Sequence, residues 1–189
     1  MFAVNHNTRF IEKLAYQDAR PIIGPLIFPI TRYLRASNIM RHVNDKAGLR
    51  LLDIGCGDGY FLNRLKNIER FGKDPLLEGE AGNFNSGVDC EDGFFDYVTM
   101  LAVIEHLPNP EFVFKEVSRI LKPGGLFVFT TPKQKAEWLI NLYAQHIEDD
   151  HETYFTDETV AHYSKNLFEL VEYRPFLFGL NQLFALRKV

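Results

Sequence analysis

The sequence predicts an α/β domain, in which a mainly parallel sheet carries helices on both faces. From Leu49 onward, apolar runs typical of buried strands alternate with runs at helical spacing, which is the signature of a parallel sheet. The chain has 189 residues, 46% of them apolar and 24% charged, enough for one domain with a full hydrophobic core. We expect a single domain over 1–189, with a helical extension or lid over 1–47 and the core over 48–189.

Composition and charge narrow the class of protein further. The net charge is −4 and no basic run exceeds two residues, which argues against nucleic acid as a partner. The two cysteines, Cys56 and Cys90, and the absence of a secretion signal favour a cytoplasmic, reduced protein. The longest apolar run, 22–30, is broken by Gly24, Pro25 and Pro29 and is too short to span a membrane.

The most informative stretch is residues 49–65, LRLLDIGCGDGYFLNRL. An apolar run ends in glycines at 55, 57 and 59, and a segment at helical spacing follows, so the order predicts strand, tight turn and helix. Glycines let the backbone approach a ligand closely, and a helix N-terminus offers unpaired N–H groups. We interpret this stretch as a nucleotide-type binding turn.

Two residues of this turn argue against a dinucleotide. The dinucleotide fingerprint G-x-G-x-x-G needs a third glycine where Tyr60 stands, and Asp53 would repel a pyrophosphate. A carboxylate at that point suits a cationic ligand, which it could bind directly or through water. An amino-acid-bearing nucleoside is therefore favoured, and a nicotinamide-dependent oxidoreductase is disfavoured.

Hydrophobic periodicity and the positions of glycine and proline predict the remaining helices and strands. The antiparallel assignment of the last two strands rests on their three-residue link, which is too short for a parallel crossover. The predicted helices cover about 1–20, 31–44, 111–121, 133–146 and 156–165; the predicted strands cover 70–74, a minimal strand near Val88, 94–103, 126–131, 168–176 and 180–188. Lys122–Gly125 (KPGG) ends the helix before it.

With these elements in place, three motifs resemble class I S-adenosylmethionine-dependent methyltransferases. They are DIGCGDG at 53–59, IEHL at 104–107 and LKPGG at 121–125, and the likeness is greatest to small-molecule enzymes of the UbiE/type-11 kind. The resemblance implies a three-layer Rossmann-like sheet of seven strands in the order 3-2-1-4-5-7-6, with strand 7 antiparallel. It also implies S-adenosylmethionine as cofactor.

The resemblance assigns cofactor residues position by position. It places Asp53, Gly55, Cys56 and Gly57 around the methionine part, Asp74 on the ribose hydroxyls, Asp89 with the Cys90 backbone at the adenine, and Leu101 beside the sulfonium. Only 21 residues separate Asp74 from Asp96, so we expect a short or loop-built adenine wall.

Methyl transfer from a sulfonium is an in-line displacement, so a general base is needed only if the acceptor must lose a proton. His106 is the candidate base, with a contact to the cofactor or a structural role as the alternative. Glu105 could orient His106, although a helix cap or solvent exposure is favoured.

The run HIEDDHE at 146–152 has acidic and histidine ligands but no tight ligand spacing, so we expect no metal site.

The acceptor is expected to be a small molecule or a lipid-linked intermediate, methylated at O, N or C. The variable segments supply the candidate acceptor residues, which are Phe28, Tyr33, Trp138, Tyr143, His151 and Tyr154. The alternative function is a catalytically silent cofactor-binding or scaffold protein with the same fold.

Overall fold

A six-stranded sheet forms the centre of the computed structural model, which describes residues 24–74, 84, 87–135 and 153–189, with the backbone alone for 24–28. The strands are β1 (Arg50–Ile54), β2 (Glu69–Lys73), β3 (Phe95–Leu101), β4 (Leu121–Pro132), β5 (Phe168–Phe176) and β6 (Asn181–Lys188). Their order is β2-β1-β3-β4-β6-β5. Strand β6 runs antiparallel to both of its neighbours, and the other pairs are parallel.

This sheet confirms the predicted fold class, with one strand fewer in the described part. In the predicted numbering its order is 2-1-4-5-7-6, and the antiparallel last strand lies where it was expected. The minimal strand near Val88 is absent from 87–94, which form bends and turns. Gly87 and Gly93 have φ values of 82° and 64°, and Cys90 N donates to Val88 O at 2.9 Å, so this backbone turns instead of extending.

Three helices flank the sheet in the described residues: α1 (Gly24–Met40), α2 (Pro110–Ile120) and α3 (Asp157–Ser164). Helix α1 begins earlier than the predicted helix over 31–44 and includes Pro29. Asn109 caps α2 by accepting from Phe112 N at 3.0 Å. Thr156 caps α3, as its sequence predicts. The predicted helices over 1–20 and most of 133–146 lie outside the described residues.

Two local predictions are corrected. The helix expected after the glycine turn is a single 3-10 turn, Leu62–Arg64, because Leu65 already has an extended backbone. The strand expected over 126–131 begins at Leu121, directly after α2 ends at Ile120, and the KPGG run forms an irregularity in it, where the pairing shifts from Phe95–Leu121 to Tyr97–Leu126.

The core lies on both faces of the sheet. On one face, α2 and α3 cover a cluster rich in phenylalanine that includes Phe114, Phe127 and Phe129. On the other face, Ala36 and Ile39 of α1 belong to a cluster with residues of β1, β4 and β6. Helix, sheet and helix therefore form three layers. No helix in the described part of the chain is long and apolar enough to cross a membrane.

Candidate active site

The glycine turn begins directly after β1 and is held against the end of β2. Gly55 N donates to Lys73 O at 2.8 Å, and Gly57 N donates to the Asp74 carboxylate at 2.8 Å. Gly55 has a φ of 72°, and a Cβ atom there would overlap the side chain of Val103. Glycine is thus required at 55 both by the backbone conformation and by the close approach of the loop after β3.

Two buried carboxylates, Asp53 and Asp74, lie at the carboxyl ends of β1 and β2, with 2% and 7% of their surfaces exposed. Thr99 Oγ1 donates to Asp53 Oδ1 at 2.7 Å across the β1–β3 pair. Burial raises the pKa of Asp53 to about 7; the hydrogen bond from Thr99 opposes this rise and the charge of Asp74 adds to it. Asp53 can therefore change its charge near neutral pH.

The backbone is strained where β3 ends. Ala102 has a φ of 56°, in the left-handed region, and its N–H donates to Thr130 O at 2.9 Å. Strain of this kind costs about 1–3 kcal/mol and clusters at functional sites. The strand order reverses between β1 and β3, and ligands of open α/β sheets bind at such a switch point. The structure thus brings Asp53, Gly55 and Asp74 together at the expected crevice.

Leu101 is half-buried and packs against the core cluster beneath α1. Cys56 is buried, and a Cβ atom on Gly72 would lie 2.7 Å from its Sγ, so this cysteine fills the space between the turn and β2. Asp89 is exposed and Cys90 is half-buried, and residues 87–94 around them form no strand. Their contact with adenine stays a prediction.

Tyr60, the residue that departs from the dinucleotide pattern, connects α1 to the turn. The Arg32 guanidinium lies 4.1 Å from the centroid of its ring, and Arg64 lies 4.3 Å from it. Arg32 also forms an ion pair with Asp58 of the glycine turn. Tyr33, a predicted acceptor residue, is 52% exposed and lies beneath Arg64 at 5.5 Å.

Glu105 and His106 lie in a 3-10 turn after β3, and their environments differ. Glu105 is only 2% exposed, whereas His106 is exposed. The expectation that Glu105 caps a helix or faces solvent is wrong, because Asn109 supplies the cap and Glu105 is buried. Arg35 of α1 lies near it: burial lowers the pKa of Arg35 and the charge of Glu105 opposes that change.

Arg35 was not among the predicted site residues. Its Nε donates to Asn181 Oδ1 at 3.1 Å, which fixes α1 to the start of β6. The available signal was the spacing of Arg32 and Arg35 in a helix that is otherwise mostly apolar.

A cavity of about 540 Å³, open to solvent, lies between the end of β4 and the start of α3. Its lining includes Lys133, Tyr154, Tyr173 and Gln182. Lys133 Nζ donates to Tyr173 Oη at 2.5 Å, and Tyr173 Oη donates to Gln182 Oε1 at 3.4 Å. Thr153 N donates to Glu105 O at 3.4 Å, so the segment leading to Tyr154 starts beside the β3 turn. The volume suits a small organic molecule.

Other predicted acceptor residues are not described. Phe28 lies in α1, where only its backbone is described, and Trp138, Tyr143 and His151 lie outside the described residues. The run 146–152 lies outside them as well. In the part of the chain that is described, no three histidine, cysteine or acidic side chains are grouped as metal ligands.

Comparison with known proteins assigns the class that this fold and crevice indicate. The methyltransferase-domain family matches residues 29–169, so the chain belongs to that family. The predicted membership of the class I S-adenosylmethionine-dependent methyltransferases, with S-adenosylmethionine as cofactor, is thereby confirmed.

Curated relatives include two ubiquinone biosynthesis O-methyltransferases. The protein of Pectobacterium atrosepticum is 27% identical over 127 residues, which cover 57% of this chain and 53% of the relative. That of Chromobacterium violaceum is 32% identical over 123 residues, covering 55% and 53%. The chain thus matches about half the length of these relatives.

Solved structures share the fold. An S-adenosylmethionine-dependent methyltransferase of Aquifex aeolicus has a TM-score of 0.61 at 14% identity, covering 98% of this chain and 100% of its own. A chain from the complex of a Haloferax volcanii methyltransferase with the activator Trm112 has a TM-score of 0.68 at 17% identity, covering 83% and 90%. At these identities the likeness shows the fold alone.

Proposed function

We propose that this domain transfers a methyl group from S-adenosylmethionine to a hydroxyl group of a small-molecule or lipid-linked acceptor. The observation that carries the proposal is the cavity beside Tyr154, because the segment that leads to Tyr154 contacts the turn after β3, where Thr153 N donates to Glu105 O. Oxygen is favoured as the methylated atom because the relatives named above are O-methyltransferases.

Each cofactor residue has a chemical reason for its role. The carboxylate of Asp53 would attract the ammonium group of the methionine part, and at Gly57 a Cβ position with nothing within 4 Å leaves room for that part. Asp74 keeps one oxygen on Gly57 N while its carboxylate can accept from both ribose hydroxyls. Leu101 would lie beside the sulfonium, with Asp89 and Cys90 at the adenine.

The cofactor supplies a methyl group already activated on a positive sulfur, so the chain's main task is alignment. Holding two reactants in line is worth about 7–11 kcal/mol. His106 is the candidate for removing the proton of the acceptor hydroxyl, because it is exposed at the carboxyl edge next to buried Glu105.

Calorimetry with S-adenosylhomocysteine tests the cofactor site. Asp74→Asn keeps an oxygen for Gly57 N but loses the charge, so we expect affinity to fall about 10- to 100-fold. Glu111→Gln, an exposed carboxylate of α2, is the matched control and should bind like the wild type. Absence of binding to the wild type, or unchanged affinity of Asp74→Asn, would contradict the assignment.

A panel of phenols, catechols and primary alcohols with methyl-labelled cofactor tests the acceptor site. Lys133→Met and Tyr173→Phe should raise KM for whichever alcohol is methylated and leave S-adenosylhomocysteine affinity unchanged, because both side chains line the cavity. Lys165→Met, on an exposed residue after α3, is the control. Cofactor binding with no methylation across the panel would favour the scaffold alternative.

The substitution His106→Ala tests whether His106 is the general base. If His106 removes the acceptor proton, kcat should fall about 10²- to 10⁴-fold while cofactor affinity stays the same. An unchanged kcat would exclude the role of base.

A further inference from the structure

The loop 87–93, here called the adenine loop, replaces a strand and is held by side chains of α2. A strand would satisfy its backbone groups through a ladder of hydrogen bonds with β2. In the adenine loop, Val88 N and the carbonyls of Val88 and Cys90 are bound instead by Glu116 and Arg119. The conformation of this loop therefore depends on two charged residues of α2.

Arg119 uses all five of its N–H donors in this arrangement. Its Nη1 donates to Cys90 O at 2.8 Å and to Asp92 Oδ1 at 2.7 Å, and its Nη2 donates to Val88 O at 2.8 Å. The remaining donors, Nε and Nη2, bind the two oxygens of Glu116, each at 2.8 Å. The planar fork of a guanidinium can satisfy this set, and the single ammonium of lysine cannot.

Glu116 completes the arrangement from the other side. Its Oε1 accepts from Val88 N at 2.8 Å, and a Cβ atom at Gly87 would lie 2.8 Å from the same oxygen. The hydrogen bond from Arg119 lowers the pKa of Glu116, so the pair is ionised at neutral pH. Hydrogen bonds between charged groups are roughly twice as strong as neutral ones.

Asp89 lies between the two carbonyls that Arg119 holds. Val88 is buried on one side of it, and Cys90 is half-buried on the other, whereas the side chain of Asp89 is exposed. Fixing the backbone on both sides restricts the direction in which this carboxylate points. A carboxylate fixed in this way can accept a hydrogen bond from the exocyclic amine of adenine.

We propose that Arg119 and Glu116 are positioning residues for adenine: they hold the adenine loop so that Asp89 meets the exocyclic amine. This inference rests on the proposed function, in which Asp89 and Cys90 border the adenine. Loss of Arg119 should reduce discrimination between adenine and other bases more than it reduces binding of the methionine and ribose parts, which Asp53 and Asp74 serve.

The experiment compares two ligands by calorimetry: S-adenosylhomocysteine and its hypoxanthine analogue, in which a carbonyl oxygen replaces the exocyclic amine. We expect the wild type to prefer adenine tenfold or more, because the analogue leaves Asp89 without a donor. Asp89→Asn and Arg119→Met should each reduce that preference to about threefold or less. Lys115→Met, which breaks an exposed pair on the same helix, should keep the full preference.

A purely structural role for Arg119 predicts a different result. The affinities for S-adenosylhomocysteine and for the hypoxanthine analogue would then fall equally, and the preference for adenine would be retained. That result overturns the proposal, and so does a wild type that binds both ligands equally. If Arg119→Met fails to fold, Arg119→Lys and Glu116→Gln give the same readout, since each breaks part of the arrangement at similar volume. Failure of the wild type to bind S-adenosylhomocysteine at all would instead overturn the proposed function.

Discussion

If Asp53 binds the cofactor as proposed, cofactor affinity should depend on pH, and the substitution Asp53→Asn should remove that dependence. The Asn side chain keeps an oxygen for the hydroxyl of Thr99, which lies 2.7 Å from Asp53 Oδ1, but it cannot ionise. With a pKa of about 7, Asp53 is ionised in about a tenth of molecules at pH 6 and about nine-tenths at pH 8. If the carboxylate binds the cofactor's ammonium, affinity should rise about tenfold across this range.

The stability of the ligand-free protein should change in the opposite direction. Because burial raises the pKa of Asp53, the folded state favours the neutral form of this carboxyl group. Its contribution to the free energy of unfolding is therefore fully present below the ordinary pKa of 3.8. It is lost as the pH rises from about 4 to about 7, by at most about 1.4 kcal/mol per pH unit. Asp53→Asn should lack this slope in urea unfolding.

Calorimetry with S-adenosylhomocysteine at pH 6, 7 and 8 checks the first expectation. Thr99→Val is a second variant with a sharper outcome: the hydrogen bond from Thr99 lowers the pKa of Asp53, so its loss should move the rise in affinity to higher pH. The reasoning is refuted if wild-type affinity is flat from pH 6 to pH 8, or if Asp53→Asn shows the same rise.

Three further variants test other contacts. Gly55→Ala should abolish cofactor binding and lower the melting temperature, because φ is 72° and its Cβ would overlap Val103; normal binding would contradict this. Asn109→Ala should cost about 1 kcal/mol in urea unfolding by removing the cap of α2, and an unchanged midpoint would exclude that role. Replacing Leu177-Phe178, both at positive φ in the β5–β6 turn, by Asn-Gly should raise the unfolding free energy by about 1–2 kcal/mol, whereas a lower value would show that Phe178 is stabilising.

Local patterns in the sequence were sufficient for most of the fold. The three-residue link between the last strands required an antiparallel pair, and β5 and β6 pair in that way. Thr156 marked the start of α3. The prediction of a helix after the glycine turn was wrong. Phe61, Leu62 and Leu65 have helical spacing and are buried, but the backbone is already extended at Leu65.

Contacts between distant residues explain what the sequence could not predict in the site. The resemblance predicted roles for Asp53, Gly55 and Asp74, and the sheet brings these three residues to one edge. Burial of Glu105 depends on tertiary packing, and the contact between Lys133 and Tyr173 joins residues 40 positions apart. Periodicity carries no information about such pairs.

The hydrogen bond between Arg35 and Asn181 connects residues 146 positions apart and has a consequence for synthesis of the chain on the ribosome. Helix α1 leaves the ribosome well before β6, to which it is bound through this hydrogen bond. At about 5–20 residues per second, the nascent helix waits roughly 7–30 s for that strand. During this interval the apolar surface of Ala36 and Ile39 lacks the β6 residues that later cover it, so a chaperone that binds nascent apolar helices would find its target in this segment.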